Sequence, residues 1–99
     1  MGSYTLRDLQ AWRKSLNEHC GTEDDNADEA WGKFCEEYLE LHVAYCYKKG
    51  KTADELADCL ICLLRLANVL GIDLEQAVVE KLKVIGERDQ KARDKERGR

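Results

Sequence analysis

Between residues 56 and 70 only Asp58, Arg65 and Asn68 interrupt an otherwise apolar run. A segment that is apolar almost all round reads as a helix buried on every side. The whole chain has 99 residues, enough for one domain with a modest core. So small a domain can hardly cover such a helix alone, and a dimer or tetramer is expected to finish the burial. The absence of proline and the abundance of Ala, Leu, Glu and Lys point to an all-α protein.

Helical periodicity predicts four helices, over 4–20, 27–48, 53–70 and 74–88, forming a four-helix bundle-like domain over 1–99. In the first, Leu6, Leu9, Trp12, Arg13 and Leu16 fall at helical spacing, and Gly21 is the expected stop. The acidic connector from Glu23 to Glu29 suits a helix N-terminus. In the second, Trp31, Phe34, Tyr38, Leu41 and Tyr45 make the apolar stripe, and Gly50 ends the segment. Thr52-x-x-Glu55 fits a capping box for the third helix, and Asp73 with Gln76 fits another for the fourth. Gly71 stands between them. Residues 89–99 carry charge of both signs and no apolar stripe, which reads as a solvated helical extension or frayed tail.

The net charge of −4 gives no support for binding nucleic acid or an anionic membrane. No apolar run reaches the ~18 residues of a membrane span, and the N-terminus lacks a signal-peptide layout. The five cysteines, Cys20, Cys35, Cys46, Cys59 and Cys62, are odd in number. Together these features predict free thiols in a reducing, cytoplasmic setting. Cys59-x-x-Cys62 lies within the apolar helix, where buried thiols are expected in preference to redox or zinc chemistry.

Two acidic clusters break the helical pattern: Glu36-Glu37-x-x-Glu40, and Glu55-x-x-Asp58 at the opening of the apolar run. Glu55, Asp58, Cys62 and Arg65 follow one side of their helix, and Glu37 lies at the margin of the preceding stripe. Surface charges and caps would account for each cluster singly. If the clusters converge, their mutual repulsion calls for a hard divalent cation. Mg²⁺ prefers oxygen ligands, and carboxylate pairs at i, i+3 on two facing helices suit it. A di-iron bundle would need Glu-x-x-His pairs, and neither His19 nor His42 follows a Glu by three.

The same residues, in this order, resemble the metal motif of the MazG-like all-α nucleoside triphosphate pyrophosphohydrolases. The segment from Asp58 to Ala67 looks like that family's third helix. Gly71-Ile72-Asp73-Leu74-Glu75-Gln76-Ala77 is similar to its turn into the fourth, and Glu80-Lys81-Leu82 to that helix's body. The likeness spans roughly residues 30–88. It implies a MazG-type fold in which Glu37, Glu40, Glu55 and Asp58 bind Mg²⁺, with Mn²⁺ as the alternative ion. It implies Glu36 and Glu37 as the catalytic acids, with Glu36 as an outer group or base for water. It also implies Lys81 and Arg88 as substrate contacts. The implied reaction converts a (deoxy)nucleoside triphosphate to a monophosphate and pyrophosphate. Trp12, Trp31, Tyr38 and His42 are the residues available for base stacking, although aromatics at helical spacing also build cores. Ile85 stands where the family usually has asparagine, which leaves a catalytically silent helical binding module as the alternative.

Overall fold

The computed structural model describes residues 2–20, 26–48 and 50–98. The expected stop at Gly21 and most of the acidic connector lie outside the described residues, as do the side chains of His19 and Cys20. The chain forms four helices: α1 (Leu6–Cys20), α2 (Ala27–Tyr47), α3 (Thr52–Leu70) and α4 (Leu74–Arg97). The main pairing is α2 on α3; α1 packs on α3, and α4 on α1.

Local chemistry sets the helix ends. Thr5 and Asp8 bond reciprocally before α1: the Thr5 amide donates to Asp8 Oδ2 at 3.0 Å and the Asp8 amide to Thr5 Oγ1 at 3.1 Å. Asn26 Oδ1 accepts from the Asp28 and Glu29 amides and opens α2. At the other end of α2, Lys48 takes the left-handed conformation at φ 52, and Gly50 follows at φ 84. The helix therefore turns off two residues before the glycine expected to end it. Gly71, at φ 69, closes α3 by donating to Asn68 O, and the Ile72 amide donates to Ala67 O. Asp73 Oδ1 accepts from the Gln76 amide at 3.2 Å and opens α4. The Gln76 side chain points along the helix, where its Nε2 donates to Glu80 Oε1 at 3.2 Å.

The capping box expected at Thr52 does not form. Lys51 is the N-cap, in extended backbone and without a side-chain bond, so Thr52 is already helical. Its hydroxyl is thus one position too late to cap, and Glu55 is not recruited as a cap's partner. Beyond residue 88 the chain stays helical to Arg97. Residues 87–97 contain neither glycine nor proline, and Gln90 Nε2 bonds Asp94 Oδ1 one turn on at 2.9 Å. Lys95 and Arg97 in the last turn suit the helix dipole.

Gln10 of α1 ties the α3–α4 turn down. Its Nε2 donates to Ile72 O at 2.6 Å, its Oε1 accepts from the Leu74 amide at 3.1 Å, and its carbonyl accepts from Asn68 Nδ2. Arg7, one turn earlier, grips Asp73 at 2.8 Å and Glu75 at 3.0 Å. The Arg7 hydrogen bond holds the Asp73 carboxyl below its ordinary range.

The buried face of α2 is Ala30, Glu37 and Ala44, spaced at seven residues. The stripe expected to be core is largely outside: Trp31 is 55% exposed, Tyr38 55% and Tyr45 74%. Alanines let α2 and α3 approach closely, so the face that meets α3 is the one with small side chains. On α3 the buried residues are Cys59, Cys62, Leu64 and Ala67, while Leu56, Leu60, Ile61, Leu63 and Leu70 remain exposed. α4 buries no residue, and its Val78, Val79, Leu82, Val84 and Ile85 are exposed. One chain therefore leaves the apolar girth of α3 partly open, and among the described residues no helix is long and apolar enough to cross a membrane.

Candidate metal centre

The antiparallel α2–α3 pair brings acids from both sequence clusters together. Glu37, Glu55 and Asp58 each offer a carboxylate oxygen, and these oxygens all lie within 4.8 Å of one another. Glu37 comes from the middle of α2; Glu55 and Asp58 come from the first two turns of α3 and share a face through their i, i+3 spacing.

Glu37 is the unusual member, at 8% exposure in the centre of the buried α2 face. Its Oε1 pairs with Lys33 Nζ at 3.1 Å. Its Oε2 is buried and no hydrogen-bond donor reaches it; Glu55 Oε2 is in the same condition. Carboxylate oxygens held away from water without donors carry a desolvation cost that a cation would offset. Glu40 adjoins the triad. The Glu37 carboxylate pushes the Glu40 carboxyl above its ordinary pKa, and Glu55 adds to the effect. Cys59 and Cys62 feel the same field: burial raises both thiols first, and Glu37 raises them further. The Cys-x-x-Cys pair is accordingly held in the thiol form, unsuited to nucleophilic or redox work.

The carboxylates stand between two hollows. One, of about 280 Å³, is lined by Arg13, Lys33, Glu37, Asp58, Ile61, Cys62 and Arg65. The other, of about 450 Å³, is lined by Leu39, Glu40, Val43, Gly50 and Glu55. Cations thus approach the acids from one side only among these lining residues.

The remaining sequence expectations fall elsewhere. Glu36 is outside the triad, 69% exposed in its side chain and 3.5 Å from Lys33. Lys81 and Arg88 are exposed on α4, the helix that packs on α1, and neither lines either hollow. Trp12 meets Tyr4 at a ring-centroid distance of 5.8 Å and Trp31 meets Phe34 at 5.7 Å, both pairs tilted. His42 sits one turn from Cys46, 3.6 Å from its Sγ. None of Trp12, Trp31, Tyr38 and His42 lines the hollows beside the acids. Arg13 and Lys33 were not among the expected site residues, although Lys33 carries a signal in its i, i+4 spacing to Glu37. Arg13 was hidden in the apolar stripe of α1.

No protein-family model, no curated protein and no solved structure matches this chain.

Proposed function

We propose that the chain is a Mg²⁺-dependent nucleoside triphosphate pyrophosphohydrolase of the MazG-like type, with Glu37, Glu55 and Asp58 as the metal-holding core and Glu40 beside them. The observation that carries this reading is the buried Glu37 oxygen without a donor, within reach of two further carboxylates. Surface acids with capping roles would all be exposed and mutually distant; here Glu37 is buried, Glu55 half-buried and Asp58 exposed, with their oxygens clustered. The donor set is all oxygen, which suits Mg²⁺ and excludes a preference for softer ions. When bound, Mg²⁺ would neutralise phosphate oxygens and acidify an attacking water. The chain's own part is to hold the acids in a fixed cluster on two packed helices. The resemblance gives Glu36 the role of orienting or deprotonating water; it is exposed, outside the triad, and 3.5 Å from the Lys33 that also pairs with Glu37.

The exposed apolar residues of α3 and α4 support self-association, with a second copy covering Leu56, Leu60 and Leu63 and the Val78–Leu82–Ile85 stripe of α4. Sedimentation at micromolar concentration should show a dimer or tetramer; a well-folded monomer would contradict this.

Activity is tested by pyrophosphate release from a panel of ribo- and deoxyribonucleoside triphosphates. Release should require Mg²⁺ or Mn²⁺ and stop on chelation. Ile85, where the resemblance leads one to expect asparagine, favours one alternative, a silent module that binds without hydrolysis. Retained Mg²⁺ and nucleotide binding with no release from any triphosphate would establish that alternative.

A further inference from the structure

We propose that Arg13, Lys33 and Arg65 form the subsite for the anionic polyphosphate tail of the ligand, which therefore reaches the carboxylates from the α1 side. The proposal rests on the metal reading above and goes beyond it, because the resemblance assigns phosphate contact to Lys81 and Arg88 on α4. The three cations come from three different helices, α1, α2 and α3, and line one hollow with Glu37 and Asp58. The volume, about 280 Å³, falls just below the ~300–1,000 Å³ of small-ligand sites and suits a phosphate chain better than a whole nucleotide. The hollow on the other side of the acids has Leu39 and Val43 in its lining and no cation among its lining residues. An anion bridged to a divalent cation at Glu37, Glu55 and Asp58 is attracted by Arg13, Lys33 and Arg65 on the first side, whereas the remaining charge lining the second is that of Glu40.

Lys33 has a double role in this arrangement. Its Nζ lies 3.1 Å from Glu37 Oε1 and 3.5 Å from Glu36 Oε2. It is half exposed, so its flexible stem can swing. In the metal-free protein it supplies part of the countercharge that Glu37 needs. Once a divalent cation takes Glu37, the Lys33 ammonium is displaced towards the hollow and meets the phosphate. Arg13 and Arg65 present planar guanidinium groups, the donors best matched to phosphate oxygens. The substrate class that follows is a ligand with at least two linked phosphates, which presents more charged oxygens to the three cations than a monophosphate does.

The test is titration calorimetry with inorganic tripolyphosphate in Mg²⁺, beside titration with Mg²⁺ alone. Lys33→Gln should weaken tripolyphosphate binding about 10-fold and strengthen Mg²⁺ binding, because a competitor for Glu37 is gone. Those opposite signs would not arise from a merely structural role. Arg13→Gln and Arg65→Gln should each weaken tripolyphosphate binding about 10-fold or more. The half-buried arginines are also replaced by lysine, which keeps the charge and should retain part of the affinity in a folded protein. Orthophosphate should bind far more weakly than tripolyphosphate. Lys81→Ala should leave the tripolyphosphate affinity unchanged. Loss in Lys81→Ala with full affinity in Lys33→Gln and the arginine variants would overturn the proposal while sparing the metal centre. Cleft-dependent tripolyphosphate binding without any Mg²⁺ binding would uphold the anion subsite and sink the metal reading.

Discussion

Glu37→Gln should abolish Mg²⁺ binding at micromolar-to-millimolar metal and lower pyrophosphate release by about 100-fold or more, while leaving the metal-free protein folded. Loss of a partner that merely supports a metal ligand already costs about 10–100-fold, and Glu37 is proposed as a ligand itself. It supplies a buried oxygen that no donor reaches and a second oxygen now shared with Lys33. The amide keeps the shape and removes the charge. In the metal-free state the substitution also removes the main cause of the raised Glu40 pKa. Melting in chelator at neutral pH should therefore be no lower than in the parent, and the Glu40 carboxyl should return towards its ordinary value. A helix-surface role predicts the reverse: a slight loss of stability as the Lys33 pair disappears, with metal binding and activity intact. Full activity in Glu37→Gln would remove the metal centre from the account.

The second large effect belongs to Gln10, far from the acids. Gln10→Leu should destabilise the fold by about 2 kcal/mol, lowering the melting temperature by roughly 10 °C. The replacement fits the buried slot but strands two backbone groups, the Ile72 carbonyl and the Leu74 amide, that the Gln10 side chain now satisfies. Those groups belong to the turn that aims α4, so α4 should lose hydrogen-exchange protection before α2 and α3 do. Urea unfolding at fixed protein concentration reads the loss. A change below about 0.5 kcal/mol would show that water replaces the amide without cost, and that Arg7 with Asp73 and Glu75 suffices to hold the turn.

The sequence made the helices legible because their punctuation is local. Gly71, Asp73 and the apolar run after Glu55 each act through the nearest few residues, and all stand where periodicity put them. What failed was the choice between faces. Trp31, Tyr38 and Tyr45 carry the most apolar surface of α2, yet Ala30 and Ala44 meet the neighbouring helix, because close approach favours small side chains. That choice rotates Glu37 from the stripe's margin to its centre, where its charge matters most. Thr52 misled for a related reason: a one-residue shift of the helix start, invisible to a motif, removes the cap and leaves Glu55 to the acid cluster. Arg13, Lys33 and Arg65 converge only through helix packing, so nothing along the chain announces them as a group. The α4 positions Lys81 and Arg88 were implied by resemblance alone, and the single chain does not carry them to the acids.

The most direct measurement on the central claim is the melting temperature of the parent protein in Mg²⁺ against Na⁺ at matched ionic strength. Screening affects both salts alike, whereas a cation held by Glu37, Glu55 and Asp58 stabilises only the folded state that assembles them. The account predicts a saturable rise with Mg²⁺ that Na⁺ does not reproduce and that Glu37→Gln lacks. Equal melting in the two salts would contradict it, and would leave the three carboxylates as a cluster with no cation to hold.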